Sequence, residues 1–110
     1  MTNTDIYTRV QEALKRTEIM ALSTIGADGS WTIPVQYQYD EKLNLFFSSM
    51  IDAKHVANIH KDPRVSVAIY SHPGPPGGNI GLQIKGWAGD ITKNSESWHR
   101  FKITPIDVVI

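Results

Sequence analysis

Polar and apolar positions alternate along much of this chain, most cleanly over residues 30–40. Trp31, Ile33, Val35, Tyr37 and Tyr39 are interleaved with Ser30, Thr32, Gln36, Gln38 and Asp40. A period of two predicts a strand with one buried face and one wetter face. Pro34 lies on the polar face and cannot donate a ladder hydrogen bond, so it predicts a sheet edge or a bulge. An opened edge there leaves the backbone groups of Ile33 and Val35 free for another partner. Upstream, Ile6, Val10, Ala13 and Leu14 recur at helical spacing over 5–15, with Thr4 as the expected N-cap. A strand is expected at 18–25, and Gly26-Ala27-Asp28-Gly29 reads as a hairpin turn.

The chain is organised around residues 43–70. An apolar run, Leu43, Leu45, Phe46 and Phe47, gives way to Ser48 and Ser49. A short helix is expected next, with Asp52 as N-cap and Lys54 in its first turn. Asp62-Pro63 ends it, because proline cannot join the helical ladder and pushes the preceding residue out of the helical region. A strand over 65–70 follows. The segment 71–78 is rich in proline and glycine and reads as a connector or flap. Strand pattern resumes at Ile80, with Ile80, Leu82 and Ile84 on one face and Gly81, Gln83 and Lys85 on the other. Gly86 and Gly89 suggest a bend or bulge. Ser95 is the expected cap of a third helix reaching Phe101, broken by Thr104-Pro105, with a last short strand at 107–110. These elements predict a mainly β (α+β) chain: one domain over 1–110, an antiparallel barrel or sandwich with small helices at its rim.

Composition narrows the chemistry. The 110 residues carry 11 Lys and Arg against 11 Asp and Glu, so the net charge is zero. That gives no electrostatic case for nucleic acid or an anionic membrane. The absence of cysteine removes disulfides, iron–sulfur clusters, thiolate zinc sites and cysteine nucleophiles together. No apolar run approaches the ~20 residues of a membrane-spanning helix. The first residues lack a signal-peptide pattern, and a cytoplasmic location is the expectation. So short a chain has a thin core and often gains buried surface by oligomerising.

Ser48, Ser49 and Lys54 form the candidate site: two hydroxyls, the N–H groups of a helix start and one ammonium, a seat for a phosphate. The residues alone leave a plainer reading open, in which the serines end a strand and the lysine is solvated. A carboxylate at Asp52 would compete with a bound anion unless it turns outward as a cap. No metal site is expected. His55 and His60 are five apart and point to different faces of a helix, and solvated or hydrogen-bonded roles are expected for them, His72 and His99. No nucleophile elbow, P-loop or Rossmann fingerprint is present, and no catalytic side chain is assigned. The 31–39 stripe reads as core or dimer interface rather than a stacking platform.

The order and spacing of L-F-F-S-S-x-x-x-A-K-H-V-x-N-I-x-K-D-P-R-V-S-V, with T-I-P-V-Q-Y and Q-I-K-G-W-A, resemble the pyridoxamine 5'-phosphate oxidase-like family. These are FMN-binding split barrels, and the resemblance covers 19–91. It implies an antiparallel split β-barrel with small peripheral helices. It implies that Ser48 and Ser49 contact the ribityl chain and phosphate and that Lys54 pairs with the phosphate. It further implies that the backbone of Thr32, Ile33, Pro34 and Val35 lies along the isoalloxazine ring and that Gln83 faces the cofactor. Ala53 stands where many members carry arginine, which implies weaker phosphate binding. A homodimer with cofactor at the interface is implied, with deazaflavin or haem as alternatives to FMN on the same scaffold. The chain is shorter than the true pyridoxamine phosphate oxidases and lacks their C-terminal tryptophan- and arginine-bearing segment. An FMN-dependent oxidoreductase of unknown substrate is therefore the expectation, with a non-catalytic sensor or carrier module as the alternative.

Overall fold

A computed structural model of the chain describes residues 3–71, 79–94 and 97–110. Helix α1 (Asn3–Arg16) is followed by strands β1 (Ile19–Gly26), β2 (Gly29–Gln36), β3 (Gln38–Tyr39) and β4 (Leu45–Met50). Helix α2 (Lys54–Lys61) and strands β5 (Arg64–Ser71), β6 (Ile80–Asp90) and β7 (Trp98–Val109) complete it. The strands form one seven-stranded sheet in the order β2-β1-β5-β6-β7-β4-β3, and each pairing is antiparallel.

The sheet's two edges are consecutive in sequence. β2 pairs with β1, and one residue later β3 pairs with β4 (Gln38 opposite Phe46), so the chain crosses from one edge to the other at Tyr37. The sheet therefore curls towards closure but stays open between β2 and the far end of β4, a split β-barrel. Tyr37 anchors this crossing. It is buried, its hydroxyl donates to the Leu14 carbonyl at 2.8 Å, and its backbone N–H donates to Glu18 O at 2.9 Å. The end of α1 thereby gains a partner for one of the carbonyls that every helix terminus leaves open.

Inside the barrel, alternate residues interleave: Met20 and Leu22 of β1, Phe47 of β4, Val67 of β5, Leu82 of β6, and Phe101 of β7. Phe47 and Phe101 stack with centroids 5.0 Å apart. Val10, Ala13 and Leu14 of α1 and Val56 and Ile59 of α2 join the same core. Asn58 reaches across from α2 and donates to Thr24 Oγ1 at 3.0 Å. Two glycines are required by geometry. Gly29 turns β1 into β2 at φ 111°, and a Cβ at Gly86 would lie 2.5 Å from the Thr104 carbonyl oxygen.

Several expectations are corrected. The 30–40 run is two strands on opposite edges, and its apolar face is buried only towards its end: Tyr37 is buried whereas Trp31 is 41% exposed. Asp52 does not cap α2. Ala53 occupies the N-cap position with no side-chain hydrogen bond. The third helix does not exist among the described residues, because residues 98–109 are one strand bonded to both β4 and β6. Cross-strand pairing outweighs a local helical preference: six partners lie on β4, Leu45, Phe46, Phe47, Ser48, Ser49 and Met50, and eight along β6. Pro105 does not end that strand. The register shifts at Lys85/Gly86, where Lys85 faces Asp107 and Gly86 faces Pro105, so Ile106 is an extra residue and the proline sits beside a bulge. Gly89 lies within β6 without interrupting it. The Thr4 side chain, Ser95, and the 72–78 stretch with His72 lie outside the described residues.

Candidate functional site

Edge strands set out the site. Among the described residues, β2 has no strand partner on the side away from β1, and beyond Phe46 the same holds for β4 on the side away from β7. Alternate residues on each strand direct N–H and C=O groups into the gap. The free backbone expected around Pro34 is thus present, since the 32–35 segment is ladder-bonded on one side alone.

Lys54 opens α2 beside this gap. Its Nζ lies 4.2 Å above the ring of Trp31 on β2. The first turn of α2 contains no acidic residue, and Lys54 joins no ion pair among the described residues. A first turn without a carboxylate, bearing one ammonium over an aromatic face, favours an anion from the N–H groups and from the charge together, against the competing carboxylate of Asp52 just before the N-cap. This donor set fits a phosphate monoester.

The two serines are not side by side. They are successive strand residues and point to opposite faces. Ser49 is buried, with its Oγ 2.6 Å from His55 Nε2. Burial holds the His55 imidazole below its ordinary pKa and so favours its neutral form. Ser48 faces out, where Arg100 Nη1 donates to its Oγ at 3.4 Å. Ser48, Thr92, Trp98, His99 and Arg100 line a shallow groove of about 350 Å³.

Thr32, Pro34 and Gln83 occupy a third place, the outer face of the sheet. Thr32 Oγ1 is 2.6 Å from Ser23 Oγ. With Gln83, Lys85 and Asp107, Thr32 lines a groove of about 400 Å³. Pro34 and Gln83 both line an adjoining groove of about 470 Å³. Ile33 and Val35 point the other way and pack on the core. The sequence-predicted residues are therefore divided within one chain: Lys54 at the gap, Ser48 on the β4–β7 face, Ser49 inside, and Thr32, Pro34 and Gln83 on the outer sheet.

Three neighbours of the candidate residues carry no clear signal in the sequence. The 31–39 alternation points to core or dimer interface for Trp31 and gives no sign that its ring lies under the Lys54 ammonium. Arg100 sat inside an expected helix, so its approach to Ser48, 52 residues away, had no sequence signal. His55 could be inferred only as a hydrogen-bonded histidine, without Ser49. The remaining histidines behave as expected in part: His60 and His99 both bond Asp90, but His99 stands on a strand rather than a helix. Burial opposes ionisation of Asp90. The hydrogen bonds from Thr92 and His99 outweigh it and hold the carboxyl well below its usual range.

Among solved structures, an FAD-binding protein from Mesorhizobium loti superposes with a TM-score of 0.79 at 18% identity, over 92% of this chain and 88% of that one. HutZ, the haem storage protein of Vibrio cholerae, gives 0.76 at 14% identity, over 94% and 91%. An F420 reductase gives 0.75 at 15% identity, over 90% and 94%. At such identities the likeness shows a shared fold. No curated protein sequence matches significantly. No helix among the described residues is long and apolar enough to cross a membrane. The sequence profile of the pyridoxamine 5'-phosphate oxidase family matches residues 7–108, nearly the whole chain, and with the split barrel described above it shows that this protein belongs to that family.

Proposed function

We propose that this chain is a cytoplasmic, homodimeric flavoprotein that binds FMN and serves as a small oxidoreductase. The observation that carries the reading is Lys54 in the carboxylate-free first turn of α2, 4.2 Å over Trp31, beside the unpaired edges of β2 and β4. In this reading Lys54 and the first N–H groups of α2 hold the phosphate. Backbone groups of Thr32, Ile33, Pro34 and Val35 orient the ring and hydrogen-bond its edge. Ser48, supported by Arg100, contacts the ribityl chain. Ser49 keeps its bond to His55 and positions the end of β4. Thr32, Pro34 and Gln83 line grooves on the outer sheet, and a partner subunit laid on that face would bring Gln83 towards the neighbouring cofactor. A bound flavin supplies the hydride or electron transfer, so the protein's tasks are binding, orientation and exclusion of water. No side chain is assigned as acid or base.

A second reading is favoured by Ala53. As N-cap it brings no side-chain donor or acceptor to the anion. Weak flavin binding would then suit a sensor or carrier, and the folds of an FAD-binding protein, an F420 reductase and a haem storage protein allow a deazaflavin or haem in place of FMN. The spectrum of protein as purified separates the two. Flavin bands that bleach on addition of NAD(P)H support the oxidoreductase. A protein that stays colourless after incubation with FMN rules it out and leaves the non-catalytic module.

A further inference from the structure

Three residues far apart in sequence meet at one end of the barrel. His60 lies in the last turn of α2, Asp90 ends β6 and His99 begins β7. Asp90 Oδ2 is 3.0 Å from His60 Nε2 and 2.6 Å from His99 Nδ1. The three ligand atoms all lie within 4.8 Å of one another. We propose that His60, Asp90 and His99 form a binding site for a divalent transition-metal ion, Zn²⁺ being the best match.

The donor set is two imidazole nitrogens and one carboxylate oxygen, a combination that suits zinc and similar ions better than magnesium or calcium. Zinc holds nitrogen and oxygen at about 2.0–2.2 Å, which puts tetrahedral donor atoms about 3.3 Å apart; the 3.0 and 2.6 Å contacts of Asp90 would lengthen by a few tenths of an ångström or more to admit it. The ligands are already oriented. Asp90 Oδ1 accepts the Thr92 backbone N–H at 3.0 Å, which fixes the carboxylate from outside the cluster. The His60 and His99 rings meet edge to face at 6.3 Å, and His60 lies 6.0 Å from buried Phe101. His60 also stands at the C-terminal end of α2, where the helix dipole favours a cation. Each neutral imidazole can move its proton to its outer nitrogen, which frees the inner lone pair for the metal. Three protein ligands leave a fourth position for water or a small anion. His60 and Asp90 are solvent-accessible, so the ion has a path in. The ion would clamp α2, β6 and β7 at a point where no covalent link joins them.

The test is calorimetric titration of untagged protein with Zn²⁺, together with the visible spectrum of the Co²⁺ form. The expected result is one ion per chain, cobalt bands of a nitrogen- and oxygen-ligated site, and a thermal midpoint raised by zinc. Outer-shell partners alone are worth about 10–100-fold in metal affinity, so His60→Gln, Asp90→Asn and His99→Gln should each cost at least that. His60 is a surface residue, and His60→Gln keeps the chain folded if another variant does not. Absence of saturable binding in the wild type overturns the proposal. So does binding that survives His60→Gln unchanged, which would assign the ion to other groups.

Discussion

Replacing Lys54 by methionine removes the ammonium but keeps an unbranched stem to lie along Trp31. In the free protein the loss is the cation–π contact, about 0.5–1 kcal/mol at an exposed site. Lys54 joins no ion pair among the described residues, so no buried carboxylate is left unpaired. Unfolding midpoints should therefore move little. Flavin binding should respond quite differently. A charge-assisted hydrogen bond to phosphate is worth about 1.5–3 kcal/mol, or roughly 10- to 150-fold in dissociation constant. Quenching of FMN fluorescence at fixed ionic strength measures it. Raising the salt should shrink the difference between wild type and variant, because the lost interaction is electrostatic and near the surface. An unchanged dissociation constant for Lys54→Met would remove Lys54 from the phosphate site and refute the reasoning.

Other outcomes follow from the core and its titrating groups. Phe101→Ala deletes a fully buried ring stacked on Phe47. It should cost about 3–5 kcal/mol in denaturant unfolding, and a loss under about 1 kcal/mol would mean that the barrel interior is not packed as described. Gly86→Ala drives a Cβ to 2.5 Å from a backbone oxygen at the β6–β7 bulge, for an expected loss of about 1–3 kcal/mol; a neutral result would show that the bulge relaxes freely. Burial lowers the His55 pKa, so the unfolded chain binds its proton first as pH falls through 6.5. The stability that the neutral imidazole contributes is present above that point and declines below it. The gap in unfolding free energy between wild type and His55→Gln should narrow from pH 7 to pH 5, and a constant gap would contradict the assignment.

Much of the scaffold was legible because its signals are local. The buried Ile80, Leu82 and Ile84 alternate along β6 as the sequence predicted, and α2 ends where proline forces Asp62 into an extended conformation (φ −141°, ψ 107°). What was missed depends on partners distant in sequence. Residues 98–101 look helical in isolation and become strand because β4 pairs with each of them, and β6 takes up the other side from Phe101 onwards. A proline that would stop a free strand is absorbed by one extra residue. The site follows the same division. Lys54 was visible from the helix start it occupies, whereas the ring beneath it comes from another edge of the sheet. The separation of Ser48 from Ser49 followed from strand alternation and could have been read from sequence. The His60–Asp90–His99 cluster could not, because it gathers the ends of three elements with no motif spacing among them.

The central claim, that the gap beside β2 and α2 holds the phosphate of a flavin, is tested most directly by comparing FMN with riboflavin on the wild-type protein. The two ligands share the ring and ribityl chain and differ in the phosphate alone. Calorimetric titration should give measurable FMN binding and a riboflavin affinity lower by at least tenfold, the equivalent of about 1.4 kcal/mol. Equal affinities, or no binding of either ligand, would contradict the claim.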